Sequence, residues 1–254
     1  REVSQAIQAI FADYTQLIQP LSLDEAYLDV SDSPACRGSA TLIAKEIRQR
    51  VRDTQGITVS AGVAPNKFLA KIASDWNKPD GQFSVLPSEI DDFVAKLAVK
   101  KLHGVGKVTA AKMHRLNLRT CKDLQNFGAD ALTEHFGSFG ERLFELSRGI
   151  DNRPVSIDHI RKSVSVENTF DTDLLDLDSS LEAMLGLLPK LELRLQRLDN
   201  HYSIKKQFVK LKFHDFVTTT VEMLSEDTNP ENYRNLCEQG FARGERAVRL
   251  IGVG

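Results

Sequence analysis

The run LSLDEAYLDV, residues 21–30, sets two adjacent carboxylates, Asp24 and Glu25, between stretches that both read as strand. Leu21, Leu23, Tyr27, Leu28 and Val30 favour a pleated, half-buried surface, and Ser22, Asp24 and Glu25 interrupt them. A carboxylate is expensive to bury without a partner, so a chain built around this run must turn there or supply a cation. Mg²⁺ is commonly held by one or two carboxylates, with substrate phosphates completing its shell. Taken alone, the ten residues are explained more simply by a hairpin whose turn is acidic. The rest of the chain shifts the balance toward a metal-dependent phosphoryl-transfer site.

At 254 residues the chain suits two or three compact units. No apolar stretch is long enough to span a bilayer and no signal peptide opens the sequence, so no membrane role is expected. Cys36, Cys121 and Cys237 are far apart and lack zinc-ligand spacing, as befits ordinary thiols of a reducing, cytoplasmic compartment. The histidines are scattered. The net charge of −2 decides little, because basic and acidic segments are separated. Lysines and arginines cluster at 100–112, 161–162 and 205–212, and acids at 171–178. The chain opens without methionine on an amphipathic helix and stops inside an apparent strand, which predicts a piece of a longer protein.

The predicted fold class is α+β. Residues 1–86 read as mixed α/β: a helix through Leu17, the acidic hairpin, a helix over 39–51, a strand over 56–64 and a helix over 67–76 capped by Asn66. Residues 87–150 read as a small all-α unit punctuated by glycine. Residues 151–161, polar and carrying Pro154, read as a linker. From 162 to 254 the pattern is strand (162–170), helix (179–198), strand (205–213), strand (218–224), helix (229–243), strand (246–253). That β-α-β-β-α-β order is the ferredoxin-like split arrangement, which identifies no function by itself.

Three further motifs carry chemistry. In LHGVGKVTAAKM the turn Gly104-Val105-Gly106, with Lys107 opening a helix, has the form of a helix-hairpin-helix element. Its backbone N–H groups can approach a DNA phosphate without reading sequence. The plain alternative, a helix–helix turn needing glycine, accounts less well for the lysine and the following helix. Lys67 and Lys71 lie one turn apart, with Lys78 just beyond, and lysines beside an acidic site can hold a triphosphate. Arg161, Ser163 and Ser165 alternate with Val164 and Val166, while Lys206, Lys210 and Lys212 oppose Val209, Leu211 and Phe213. Either strand could contact a phosphate backbone, but each alone fits an ordinary solvated sheet face slightly better.

LSLDEAYLDV, SAGVAPNKFLAKIASDWNKPDGQF and KLHGVGKVTAAKM, in this order and spacing, closely resemble the Y-family translesion DNA polymerases, specifically the bacterial DinB type. The resemblance implies a partial palm over 1–86, a thumb over 87–150, a linker over 151–161 and a little finger over 162–254. It implies template-directed addition of deoxynucleotides to a primer by a two-metal mechanism. Asp24 matches a metal-bridging aspartate and Glu25 the neighbouring catalytic glutamate, with Mg²⁺ as cofactor. Lys78 matches a lysine on the nucleoside triphosphate, and Gly104, Val105, Gly106 and Lys107 match the thumb hairpin on the primer. Arg161, Ser163 and Ser165 fall where the little finger holds the template, with Lys206, Lys210 and Lys212 as further DNA contacts. The family's DxDxFF-like motif, its fingers domain and its sliding-clamp docking tail have no counterpart in these residues. The resemblance therefore implies an incomplete metal site and little synthesis by residues 1–254 alone. A non-catalytic DNA-binding module is the alternative. A nucleotide-cyclase-like palm ranks below both, because it leaves the hairpin and the basic sheet without a role.

Overall fold

The computed structural model describes residues 1–157, 161–198 and 201–254. They form two compact units, residues 1–159 and 160–254. Residues 158–160 of the expected linker lie outside the described residues.

In the first unit, helix α1 (Glu2–Ala12) packs on α2 (Ala40–Gln55) around Ile10, Tyr14, Ile43, Ile47 and Val51. The i, i+4 spacing of the last three puts them on one face. Ser39 caps α2 by accepting from the Leu42 N–H. The helix predicted through Leu17 stops at Ala12, because the Thr15 hydroxyl accepts the Leu17 N–H at 3.0 Å and turns the chain. Ile18 instead opens β1 (Ile18–Pro20), antiparallel to β2 (Ala26–Leu28).

The strand predicted over 56–64 is regular only at β3 (Ala61–Val63), which runs parallel to β4 (Gln82–Ser84). Helix α3 (Lys67–Trp76) connects them with the predicted bounds, and the Asn66 side chain caps it by accepting from Leu69 N–H at 3.0 Å. At Gly62 a Cβ would stand 2.0 Å from the Ala70 carbonyl oxygen, so glycine is what lets β3 lie against α3. Among the described residues, β1–β2 and β3–β4 are separate two-stranded sheets.

The helical region after residue 87 contains α4 (Ile90–Ala95), α5 (Lys107–Arg115), α6 (Cys121–Phe127), α7 (Ala129–Phe136) and α8 (Ser138–Leu146). Its core of Val94, Met113, Leu124, Leu132, Leu143 and Leu146 is continuous with Phe68, Leu69 and Ile72 of α3. Each such side chain contributes about 1.5–3 kcal/mol when buried. Helix α3 is thereby fixed on one side by apolar packing, while its lysines remain on the other.

The second unit contains β5 (Val166–Leu174), α9 (Leu177–Leu185), α10 (Leu188–Leu195), β6 (Lys206–Phe213), β7 (Thr218–Leu224), α11 (Pro230–Ala242) and β8 (Val248–Val253). The β-α-β-β-α-β order holds, with the first helix in two pieces. Pro189 has no N–H to give and its ring crowds the carbonyl of Leu185, so the helix predicted over 179–198 breaks after Gly186. The sheet order is β5-β8-β6-β7, antiparallel throughout. Each βαβ pair is split by one strand. The inner strands are the fourth and second in chain order, however, whereas the ferredoxin-like sheet puts the first and third inside. Helices cover one face through Val209, Leu211, Phe213, Val221, Ile251 and Val253.

The three thiols are free; burial pushes that of Cys121 up to about 12 and that of Cys237 up to about 11. Among the described residues, no helix is long and apolar enough to cross a membrane.

Candidate phosphate and nucleic-acid site

The acidic pair sits in the turn joining β1 to β2, between two strands as the apolar pattern predicts. Leu21 and Ser22 N–H groups both donate to the Glu25 carbonyl, at 2.8 and 3.3 Å, and close the turn. Asp24 is exposed, with Oδ1 accepting from the Ser22 hydroxyl at 2.5 Å. That bond and a backbone hydrogen bond, helped by the charges of Lys71 and Lys78, hold its carboxyl below the usual range against the opposing effect of desolvation. Glu25 Oε1 meets Lys71 Nζ at 2.6 Å. The hairpin thus leans on α3 through an ion pair.

The lysines of α3 diverge in role. Lys67 Nζ donates to Gln19 Oε1 at 2.9 Å and to the Pro154 carbonyl at 2.6 Å, and burial lowers its pKa. It is a structural tie rather than a free cation. Lys78 pairs with Asp75 at 2.5 Å. Burial would raise the Asp75 pKa, but the Lys78 hydrogen bond and the charges of Lys71, Lys78 and Lys101 outweigh it and lower that pKa. A cleft of about 140 Å³ opens beside these groups, lined by Tyr27, Lys71, Asp75, Lys101, His103 and Arg153.

The hairpin before α5 follows directly on Lys101 and His103. Gly104 has φ +90°, a left-handed angle suited to glycine, and a Cβ there would stand 3.0 Å from the Phe139 ring. Val105 tucks against the helical core and its N–H donates to the Leu102 carbonyl at 3.0 Å. Gly106 is the N-cap of α5, and no side chain caps that first turn. Lys107 is exposed, as is Val108 beside it at 84 %. The open N–H groups and the lysine form a surface that can receive an anion.

In the second unit, Arg161, Ser163 and Ser165 are exposed but precede β5, because the ladder begins at Val166 and not at 162. The Arg161 N–H donates to the Tyr202 hydroxyl at 3.2 Å, and the Ser165 carbonyl accepts from Arg194. On β6 the predicted alternation is present: Val209, Leu211 and Phe213 are buried, while Lys206, Lys210 and Lys212 face away. All three lysines have partners. Lys206 meets Glu222 at 2.5 Å, Lys210 meets Glu167 at 2.9 Å, and Lys212 Nζ lies 4.6 Å from the Phe216 ring centre.

The structure therefore brings Asp24, Glu25, Lys71 and Lys78 to one place, and the Gly104–Lys107 turn follows directly in the chain on the cleft residues Lys101 and His103. Asp24 and Glu25 are two hard oxygen donors on consecutive residues, a set that fits Mg²⁺ when substrate phosphates complete the shell. Among the described residues, no three His, Cys, Asp or Glu side chains are grouped to hold a metal by themselves. Sequence reasoning missed Asp151 and Arg153. They lie in a segment read as linker, yet Asp151 is buried among Arg142, Arg153 and the Phe68 N–H. The one available signal was an aspartate two residues before an arginine at the exit of α8.

The impB/mucB/samB family matches residues 1–75, the DNA polymerase-iota thumb domain matches 100–151, and the impB/mucB/samB C-terminal domain matches 161–254. DNA polymerase IV of Ectopseudomonas mendocina (strain ymp) is 58 % identical over all 254 residues, which span 72 % of its length. That of Pseudomonas aeruginosa (strain UCBPP-PA14) is 62 % identical, with 73 % of its length spanned and 100 % of this chain covered. Among solved structures, the Y-family DNA polymerase chimera Dbh-Dpo4(243-245)-Dbh superimposes with TM-score 0.84 at 26 % identity, over 99 % of this chain and 74 % of that one. The insertion ternary complex of Dbh DNA polymerase gives 0.62 at 25 % identity, over the same 99 % and 74 %. Identity of this degree over the whole chain joins the acidic hairpin, the helix-hairpin turn and the four-stranded C-terminal unit in one lineage, and the chain belongs to the DNA polymerase IV (DinB) family of Y-family DNA polymerases.

Proposed function

We propose that the chain takes part in template-directed, metal-dependent DNA synthesis past template lesions, with a palm over 1–86, a thumb over 87–150, a linker over 151–161 and a little finger over 162–254. The observation that carries this reading is the meeting of the Asp24–Glu25 turn with the lysine-bearing face of α3, where Glu25 and Lys71 stand 2.6 Å apart. Asp24 and Glu25 would hold Mg²⁺, which supplies charge neutralisation at the triphosphate and acidifies the primer hydroxyl. Lys78 offers a compact ammonium to the triphosphate. Gly104, Val105, Gly106 and Lys107 grip the primer backbone through N–H groups and one charge. Arg161, Ser163, Ser165, Lys206, Lys210 and Lys212 give the second unit a polar face for sequence-independent backbone contact.

Primer extension by residues 1–254 with Mg²⁺ and four deoxynucleotides tests the reading, alongside binding to the same primer-template at two salt concentrations. The expected result is salt-sensitive binding with little extension, and extension that returns when the upstream segment of a DNA polymerase IV relative is supplied. Asp24→Ala should then abolish the restored synthesis while leaving binding in place. The second reading, a module that grips DNA without catalysis, draws on the exposed hairpin at Lys107 and the lysine face of β6. It predicts restored synthesis in neither protein and weaker binding by Lys107→Ala alone.

A further inference from the structure

Lys71, Lys101 and Arg153 converge on the cleft beside Glu25; Tyr27, His103, Phe68, Ile72 and Asp75 complete its walls, the Asp75 carboxylate being paired with Lys78. Arg153 is unlike the surface cations of this chain because it is aimed from behind. The Asp151 side chain is fully buried, and its oxygens accept from Arg153 Nε and Nη2, both at 2.8 Å. The same carboxylate accepts from Arg142 Nη2 at 2.8 Å and from the Phe68 N–H at 3.1 Å. A two-point grip fixes the plane of the guanidinium, and half of the Arg153 side chain stays open to solvent. Asp151 therefore ties α8, the first turn of α3 and the cleft arginine together.

The position of the cleft indicates its occupant. One wall, Lys101 and His103, immediately precedes the Gly104–Lys107 turn. Another, Lys71, holds Glu25. A strand gripped at the turn and ending at Glu25 must carry its intervening phosphates past these groups. We propose that the cleft binds a phosphodiester of the primer strand between the helix-hairpin contact and the 3′ end, with Arg153 as the contacting cation and Asp151 as the residue that positions it. This inference rests on the polymerase reading above and assigns a phosphate subsite within it.

The test is binding of the whole 254-residue chain to primer-templates in which single neutral methylphosphonate linkages are walked along the last primer positions. Wild type should lose about three- to ten-fold at one or two adjacent linkages. Arg153→Ala should lose a similar factor on natural DNA, show a salt slope smaller by about one, and be indifferent to those same linkages. Arg153→Gln, which keeps much of the side-chain volume, should behave alike. Asp151→Asn should lose the linkage preference in part, and Arg153→Lys should fail to restore it, because a lysine cannot take the two-point grip. Equal sensitivity of wild type and Arg153→Ala at every linkage would overturn the proposal. So would a loss confined to binding of deoxynucleoside triphosphate with Mg²⁺, which would place the subsite on the nucleotide. If Lys107→Ala weakens binding and Arg153→Ala does not, this subsite fails while the polymerase reading stands. If wild type does not bind primer-template at low salt, both fail.

Discussion

The two units carry their basic side chains in different ways. In the first, cations gather on shared or buried acids: Lys71 on Glu25, Arg48 and Arg52 together on Asp80, and Arg142 and Arg153 together on the buried Asp151. In the second, Lys206–Glu222 joins the adjacent strands β6 and β7 and Lys210–Glu167 reaches across Gly252 of β8, with Lys206 and Glu222 52 % and 55 % exposed. Exposed pairs of that kind contribute about 0–1 kcal/mol each and exchange readily with other ions. A buried carboxylate with several donors holds one geometry, because removing any partner strands a charge. The difference teaches where positional accuracy is to be expected. Under the proposed DNA-binding role, the first unit would place individual phosphates, whereas the second would offer a compliant face suited to backbone contact at any register.

The largest expected effect tests the buried side of this contrast. Asp151→Ala leaves two arginines and the Phe68 N–H without their acceptor, and should cost about 3–5 kcal/mol in urea unfolding. A loss below about 1 kcal/mol would mean that the clamp is no more than a surface pair. A second effect follows from the same residue. Burial would raise the Asp151 pKa, but the hydrogen bonds and charges of Arg153 and Arg142 lower it well below the ordinary carboxylate range. Because the native pKa is depressed, the unfolded chain binds the proton first as pH falls. The stabilisation is complete well above the unfolded value of about 4 and fades as pH drops toward the native one. The gap in melting temperature between wild type and Asp151→Asn should therefore narrow from pH 6 to pH 3, and a constant gap would assign it to packing. The smallest effect belongs to the second unit. Lys206→Ala or Glu222→Ala should shift stability by no more than about 0.5–1 kcal/mol. Replacing Lys206, Lys210 and Lys212 together should lower the salt slope of DNA binding by up to about three. An unaltered slope would remove β6 from the DNA surface.

Much of the fold was legible where the deciding forces are local. Helix α3 has its predicted bounds because Asn66 caps it and Phe68, Leu69, Ile72 and Ala73 form one apolar stripe. The alternation of β6 was equally plain, since period-two burial needs no knowledge of partners. Local signals that were overlooked account for two errors: Thr15 ending α1 early, and Pro189 dividing the helix after β5. The short strands of the first unit were less readable. Three residues are too few to show a period, and the turn at Asp24 and Glu25 takes its shape from backbone bonds to the Glu25 carbonyl.

By itself, the sequence determined the composition of the candidate site: the acidic pair, the lysines of α3, the glycine turn with Lys107, and the basic strand. These are short motifs whose chemistry resides in neighbouring residues. Only the tertiary structure decided which charges meet. Glu25 and Lys71 are 46 positions apart, and Asp151 reaches the Phe68 N–H across 83. Contacts at such separations depend on how helices pack around a shared core, and a buried aspartate in a polar segment cannot be told from a solvated one until its donors are in place. The sheet order of the second unit was hidden for the same reason. Chain order constrains which strands can be neighbours, but only the hydrogen-bonded ladders β5–β8, β8–β6 and β6–β7 of the folded sheet put β8 and β6 in the middle.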